Sequence, residues 1–370
     1  MRPVTIAVDA SRALPAYRTG TEQYSVFLLR ALMALETPHH WRLYAPGPAP
    51  DDLLPLPPRW EWRTITFPRL WTHLRLSWAM ARHRPDVLFV PAHVVPIVHP
   101  RATVVTIHDL GYLHFPDAHP VSSRRYLDWS TRWSVRVARR VIAVSGATGD
   151  DLMTMLDLPE EKITVVHHGV RPVAVRPSDD AVQATLERLG VHRPYVLFLG
   201  TVQPRKNLQR LIQAFRQVVD AGLSHRLVIA GRIGWLAEPI GAAVAACGLT
   251  DRVHFAGYVA DGDLPALFTG ADAFALPSLY EGFGMPALEA LAYGVPVVAS
   301  DTTSLPEIIG DAGLLVDPLD DAALGAALVR VLTDQSLRAW LALAGPARAA
   351  HFSWERCARE TLAVLEGAAG

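Results

Sequence analysis

Two glutamates eight positions apart, Glu281 and Glu289, frame the stretch of this chain richest in chemistry. Between them runs Gly282-Phe283-Gly284-Met285-Pro286. Pro286 suits the first turn of a helix, where its missing N–H would have no partner anyway. Tyr293-Gly294 ends that helix, and 296–300 reads as a buried strand entered through Pro296. A loop feeding a helix N-terminus seats anions, since N–H groups and the positive dipole end point outward. Eight residues of helix would separate the carboxylates by about 12 Å. The paired carboxylates of glycosidases stand about 5–9.5 Å apart. These two therefore read as grips on opposite ends of a long ligand.

A second loop supplies the opposite charge. Strand 195–199 ends in Gly200-Thr201-Val202-Gln203-Pro204-Arg205-Lys206-Asn207, followed by an amphipathic helix that Asn207 is placed to cap. Two cations beside a helix start suit a diphosphate. The chain holds 33 arginines and only two lysines, Lys162 and Lys206. Where Arg fills nearly every basic position, a strand-end Lys marks a need for a compact point charge. Further strand-end candidates are Arg232 in Gly231-Arg232-Ile233-Gly234-Trp235 and His108-Asp109 after strand 102–107. Asp109 could orient His108, meet an acceptor or cap the next turn. Gly20, in the loop after the first strand, is a point of close backbone approach, and Glu22 suits the dipole of a helix first turn.

The elements that must hold these loops alternate throughout. Strands are expected at 4–9, 86–90, 102–107, 140–144, 163–166, 195–199, 226–230, 272–276, 296–300 and 313–316, with helices such as 21–35, 122–138, 207–221, 286–293 and 321–333. The strands are apolar on both faces, as parallel strands covered by helices are. The stretch 171–180, with two prolines and no periodicity, reads as a linker. Ser353 suits the N-cap of a last helix. The class is α/β, with two doubly wound Rossmann-like domains, and ligands at the carboxyl ends of the strands.

The Pro277-to-Asp301 segment resembles the Glu-x7-Glu motif of retaining glycosyltransferases of family 4, and Pro204-Arg205-Lys206-Asn207 is similar to the phosphate loop of that family. The likeness extends over nearly the whole chain and is strongest from Gly200 to Pro318. It implies the GT-B fold, with two domains facing across a cleft and a C-terminal helix crossing back: an acceptor-side domain at 1–175, a nucleotide-sugar domain at 176–350 and the returning helix at 351–370. It implies that Glu281 stands by the donor sugar, Glu289 bonds the ribose, and Lys206 with Arg205 holds the diphosphate. Arg232 would lie near the donor, Tyr258-Val259 would seat the base through the backbone, and Gly282, Phe283, Gly284 and Met285 would line the anion seat. His108 would contact the sugar. The position after Gly200, Arg in some members, is Thr201 here, and a single Gly20 stands where many members have two glycines.

The implied reaction moves a hexosyl group from a GDP- or UDP-linked sugar to a hydroxyl of a carbohydrate or lipid-linked acceptor, with retained configuration, no enzyme nucleophile and no further cofactor; family frequency points first to GDP-mannose. No metal is expected: no ligand cluster has the spacing, and Asp261-Gly262-Asp263 reads as a helix cap. An epimerase of the same architecture would convert donor without acceptor, and a non-catalytic binder would not need both glutamates, Lys206 and His108. A nicotinamide enzyme is disfavoured because no Gly-x-Gly-x-x-Gly follows the first strand.

Bulk properties agree. The 370 residues suit two domains, and the net charge of −1 gives no sign of nucleic-acid binding. Residues 1–150 carry 18 basic against 11 acidic residues, and the remainder 17 against 25. Residues 124–140 hold six arginines with Tyr126, Trp129 and Trp133. The ordinary reading is a helix covering the sheet with Trp129 and Trp133 packed inward; the functional one is a basic face toward anionic lipid or a phosphorylated acceptor. The segment 59–78, with four tryptophans, could fill core or line an acceptor pocket. Two cysteines and the lack of a long apolar run suit a cytoplasmic protein, with peripheral contact at the inner face of a membrane left open.

Overall fold

The computed structural model describes residues 2–15, 18–67, 70–92, 94–116, 121–171, 173, 176–232, 234 and 238–370. The chain divides into two compact units, residues 1–169 with 352–370, and residues 170–351.

The first unit is built on seven parallel strands: β1 (Thr5–Asp9), β2 (His40–Ala45), β3 (Trp60–Thr64), β4 (Val87–Val90), β5 (Ala102–Ile107), β6 (Arg140–Ala143) and β7 (Ile163–Val165). Their order is β3-β2-β1-β4-β5-β6-β7. The central strands are buried on both faces, so β4 and β5 read as unbroken apolar runs apart from two threonines. The sheet reverses direction of growth between β1 and β4, which makes the carboxyl ends of those strands the place for a ligand.

The helix Gly20–Met33 starts with a capping box, in which the Glu22 carboxylate accepts from the Thr19 N–H at 3.1 Å. Glu22 is thus a helix-start residue, as expected. The last helix, Trp354–Ala369, belongs to this unit. Ser353 caps it by accepting from the Arg356 N–H at 3.1 Å. Trp354, Cys357, Ala358, Thr361, Leu365 and Ala368 form its buried stripe at helical spacing.

The second unit has six parallel strands: β8 (Tyr195–Leu199), β9 (Arg226–Ala230), β10 (Val253–Gly257), β11 (Ala273–Leu276), β12 (Val297–Ser300) and β13 (Gly313–Val316). Their order, β10-β9-β8-β11-β12-β13, places the switch point between β8 and β11. The helix Leu208–Asp220 covers the sheet with Leu208, Leu211, Ile212, Phe215 and Val218.

Three strands were not expected from the sequence: β2, β3 and β10. β3 and β10 are edge strands with mixed polarity and partial burial. β2 breaks its apolar run with Arg42. The aromatic segment 59–78 accordingly divides into β3, a π-helical turn at Thr72–Leu76 and the start of the helix Ser77–His83. A further correction concerns the helix Val121–Val137. Trp129 was expected to pack inward but is 48% exposed, while Ser130, Thr131, Ser134 and Val135 take the inner side.

Candidate functional site

In the second unit the loops after β8 and β11 meet at the switch point. After β8 the chain makes a 3-10 turn at Pro204–Lys206 and then places Asn207 at φ +58°. Asn207 stands at the N-cap of the next helix, as expected, but its side chain makes no cap bond there. Its side-chain amide instead donates to the carbonyls of Pro277 (3.0 Å) and Pro318 (2.7 Å), pinning the two loops together. A backbone bond from the Leu279 N–H to the Arg205 carbonyl (2.8 Å) and a bond from the Arg205 guanidinium to the Tyr280 carbonyl (2.8 Å) complete the join.

Lys206, Arg205 and Glu281, named from two separate motifs, come together here. The buried Lys206 ammonium donates to one oxygen of the buried Glu281 carboxylate, and the Arg205 guanidinium lies 3.2 Å from the other. Ser278 Oγ donates to Glu281 at 2.6 Å. The Glu281 backbone is held as well: its N–H donates to Thr303 Oγ1 (3.1 Å) and its carbonyl accepts from Ser304 Oγ (2.9 Å). Burial pushes the Glu281 carboxyl up, but Lys206 and Arg205 outweigh it and hold the group below the usual carboxylate range.

Glu289 lies on the helix Met285–Ala292 that leaves this loop, and it too is buried. Gly284 starts the helix at φ +95°, where a Cβ would lie 2.6 Å from Leu305 Cδ2, so only glycine fits. Pro286 takes the first turn, and Gly294, at φ +70°, follows the C-cap Tyr293, as expected. The partner of Glu289 is Arg171, at 3.1 Å. Arg171 also reaches Asp261 at 3.3 Å. Here burial wins over Arg171 and raises the Glu289 carboxyl. The two glutamates thus have separate partners and opposite electrostatic settings.

The loops after β9 and β10 adjoin. Gly231, at φ +136°, must be glycine, since a Cβ would lie 2.0 Å from the Gly200 carbonyl oxygen. The Arg232 guanidinium lies over the Tyr258 ring, 5.2 Å from its centroid, and the next residue, Val259, is buried. Ile233 and Trp235 of the same motif, and Pro172, Ala174 and Val175 of the linker, lie outside the described residues. The Asp261-Gly262-Asp263 cap reading is corrected: Asp263 makes no cap bond and pairs with Arg188 at 2.7 Å. Among the described residues no group of three His, Cys, Asp or Glu could hold a metal ion.

In the first unit, His108 follows β5 and is buried. Its Nε2 stands 2.8 Å from the Pro91 carbonyl at the end of β4, so Nε2 carries the proton. Tyr24 meets the ring edge-on at 4.7 Å, and His168 lies 5.5 Å away. His168 in turn stacks on Trp354 at 6.0 Å. Burial, then the neighbouring His108 and His167, push His168 well below the usual histidine range. Asp109 accepts from the Gly111 N–H at 2.9 Å, which is the turn-capping role. Gly20 begins its helix in the open: a Cβ there would meet nothing within 4 Å.

Arg171, Thr303, Ser304 and His168 were not found from the sequence. Arg171 was read as part of a linker; the signal would have been that a buried glutamate on a helix demands a cation. His168 follows a strand end beside Gly169, the same kind of position that singled out His108.

Comparison with known proteins agrees with this arrangement. The sequence profile described as Glycosyl transferases group 1 matches residues 187–347, and that described as Glycosyltransferase Family 4 matches residues 18–173. O-antigen chain mannosyltransferase B of Escherichia coli is 33% identical over 290 residues, 78% of this chain and 76% of its own. A sucrose-phosphate synthase from Thermosynechococcus elongatus has the same fold, with a TM-score of 0.77 at 22% identity over 99% of both chains. HepE of Anabaena, solved with UDP and glucose, superposes with a TM-score of 0.74 at 19% identity over 98% of this chain and 100% of its own. Two doubly wound sheets of GT-B type and these matches across both units make the chain a member of glycosyltransferase family 4.

Proposed function

We propose that this glycosyltransferase moves a hexosyl group, mannose in the first instance, from a nucleoside-diphosphate sugar to a hydroxyl of a carbohydrate or lipid-linked acceptor, with retention and without a metal ion. The observation that carries the reading is the meeting of Lys206, Arg205 and Glu281 at the β8/β11 switch point. In this reading Lys206 and Arg205 take the diphosphate, and their charge offsets that of the departing group. The loop Gly282-Phe283-Gly284-Met285 supplies the helix end that favours the same anion.

Glu281, held between two cations, is a poor nucleophile and a good acceptor for the hydroxyls of the donor sugar. No covalent enzyme intermediate is then called for; the acceptor hydroxyl attacks on the face the phosphate leaves, and that phosphate takes its proton. Glu289 accepts from the ribose hydroxyls. Arg232, Tyr258 and Val259 take the base side. His108 contacts the sugar, and Gly20 lets backbone approach the phosphates. The Escherichia coli relative, named as a mannosyltransferase of O-antigen, favours mannose and a polysaccharide or glycolipid product.

The test is incubation with GDP- and UDP-sugars, with and without acceptor glycosides, in excess EDTA. The expected result is acceptor-dependent nucleotide release and a product whose anomeric configuration by NMR matches the donor. An inverted product, loss of activity restored only by Mg²⁺ or Mn²⁺, or donor conversion without acceptor would each overturn the part it addresses.

A further inference from the structure

A group of cations stands on the outer strands of the first unit. Arg42 and Tyr44 on β2 pair with Glu61 and Arg63 on β3, Arg42 opposite Glu61 and Tyr44 opposite Arg63. Side chains alternate between the faces of a strand, so these four share one face. β3 is the edge of the sheet, which leaves the group open to water. The side chains of Arg42, Arg63 and Glu61 are 30%, 28% and 50% exposed. His83, the last residue of the helix Ser77–His83, joins them. Its Nδ1 stands 3.1 Å from the Tyr44 hydroxyl and its Nε2 lies 3.2 Å from the Arg63 guanidinium.

A guanidinium can only donate, so His83 Nε2 accepts, and Nδ1 carries the proton and gives it to Tyr44. His83 is therefore neutral in this arrangement. Burial, then Arg63, Arg42 and Arg82, hold it below the usual histidine range, and Glu61 acts the other way. Glu61 lies 2.9 Å from Arg63 Nε and 3.7 Å from Arg42 Nε. One carboxylate thus serves two guanidinia. Of the charges on Arg42, Arg63 and Glu61, one positive charge stays unmatched, and Arg82 on the helix adds another.

We propose that Arg42, Arg63 and His83 form a binding site for a phosphoryl dianion, and that Glu61 fills it when no ligand is bound. A carboxylate ligand would replace one negative charge by another and gain little. A dianion brings the second charge that the unmatched arginine can meet, and its oxygens suit the guanidinium fork. Glu61, half exposed, swings into water at small cost, because an exposed ion pair is weak. An anion between Arg63 and His83 accepts from both. Arg63 then leaves Nε2 free to take a proton, and His83 becomes a third cation while Nδ1 still donates to Tyr44. Binding thus takes up a proton. Two sources share this chemistry, free inorganic phosphate and a phosphorylated sugar. The site lies wholly in the first unit and uses no residue of the donor loops, so it is independent of the transfer chemistry.

The test is NMR of the His83 imidazole in the full chain, titrated with sulfate at low ionic strength. Sulfate stays a dianion across the histidine range, so the ligand's own titration does not enter. The expected result is a saturable movement of the His83 resonances, a His83 titration displaced upward by sulfate, and an affinity that rises as pH falls. Glu61→Gln should tighten sulfate binding about two- to five-fold, the value of an exposed ion pair. Arg42→Gln and Arg63→Gln should each weaken it about 10–100-fold, the value of a hydrogen bond to a charged group. His83→Gln, read at the Arg63 Nε–H resonance, should still bind sulfate but without the pH dependence. Inorganic phosphate and glucose 6-phosphate then separate the sources: tighter binding of glucose 6-phosphate assigns the site to a sugar phosphate, and equal binding assigns it to the free ion. Urea denaturation reports the fold of each variant, and the wild-type titration and Glu61→Gln decide the matter even where an arginine variant does not fold. The proposal is overturned if sulfate leaves the His83 resonances unmoved, if acetate binds as tightly as sulfate, or if folded Arg63→Gln binds sulfate as the wild type does.

Discussion

The Lys206 ammonium and the Glu281 carboxylate are buried counter-charges to each other, though 75 positions apart in the chain. The pair changes what removal of Lys206 should do. A simple phosphate-binding lysine could be deleted at little cost to folding. Removing one partner of a buried pair instead strands the other, at about 3–5 kcal/mol. Arg205 and Ser278 remain on Glu281, so the lower end of that range applies. Lys206→Ala should therefore lose both stability and turnover, the latter by about 10²–10³-fold. Adding Glu281→Gln removes the stranded charge and should recover stability, with a coupling of about 0.5–3 kcal/mol. Turnover should stay low in the double variant. Urea denaturation and steady-state rates on the four proteins check this; recovery of turnover along with stability would make Lys206 a structural counter-ion only.

Glu281 and Glu289 should report on different ends of the donor. Glu289→Gln is expected to weaken binding of the bare nucleoside diphosphate by about 10–100-fold, the value of a hydrogen bond to a charged group. Arg171→Gln should do the same, since Arg171 is the group that holds Glu289. Glu281→Gln should leave nucleotide binding unchanged or slightly tighter, because Lys206 loses a competing carboxylate, while sugar transfer falls. Titration calorimetry separates the cases; equal losses in Glu281→Gln and Glu289→Gln would contradict a two-ended grip.

The opposite electrostatic settings of these glutamates predict opposite pH responses. The Glu281 carboxyl sits below its unfolded value, so its stability contribution is complete above that value and is lost as pH falls through the lowered folded one. The Glu289 carboxyl sits above its unfolded value. Its contribution is present below the unfolded value and lost as pH rises through the raised folded one. The wild-type advantage over Glu281→Gln should therefore shrink below the ordinary carboxylate range. Relative to Glu289→Gln, the wild type should lose ground as pH rises from that range toward neutrality. Urea denaturation across a pH series reads both; parallel trends would show that the two carboxyls share one environment.

Much of this was legible in the sequence because the doubly wound fold writes its sites at strand ends. The central strands carry apolar residues on both faces, so β4, β5, β8 and β11 stood out, and with them the loops holding His108, Lys206 and Glu281. What a motif cannot give is the partner across the sheet. Nothing in the spacing ties Arg171 to Glu289, 118 positions away. Asn207 and Asp263 have the residue types of helix caps, yet each spends its side chain on a distant loop or helix. Local propensity was overridden there by tertiary hydrogen bonds. Trp129 misled for another reason: tryptophans at helical spacing ordinarily mark a core face, and this helix buries serine and threonine instead.

Gly169 and Gly20 test whether a glycine serves the chain or something the chain binds. A Cβ on Gly169 would lie 2.2 Å from the backbone nitrogen of Trp354 and 2.5 Å from its Cγ. The Trp354 ring is buried and stacks on both Phe27, at 5.4 Å, and His168, at 6.0 Å, so it has little freedom to yield. Gly169→Ala should thus shift the start of the last helix and cost about 1–3 kcal/mol, the usual price of overpacking. Trp354→Ala should cost about 3–5 kcal/mol by leaving a cavity, and Trp354→Phe less. Gly20→Ala meets open space at the first position of its helix and should be neutral or slightly stabilising, as alanine favours helix. If Gly20 admits the donor phosphates, that stable variant should nevertheless bind nucleoside diphosphate sugar more weakly. Denaturation and calorimetry on the same preparations decide it: a Gly20→Ala protein with full stability and unchanged donor affinity removes Gly20 from the site.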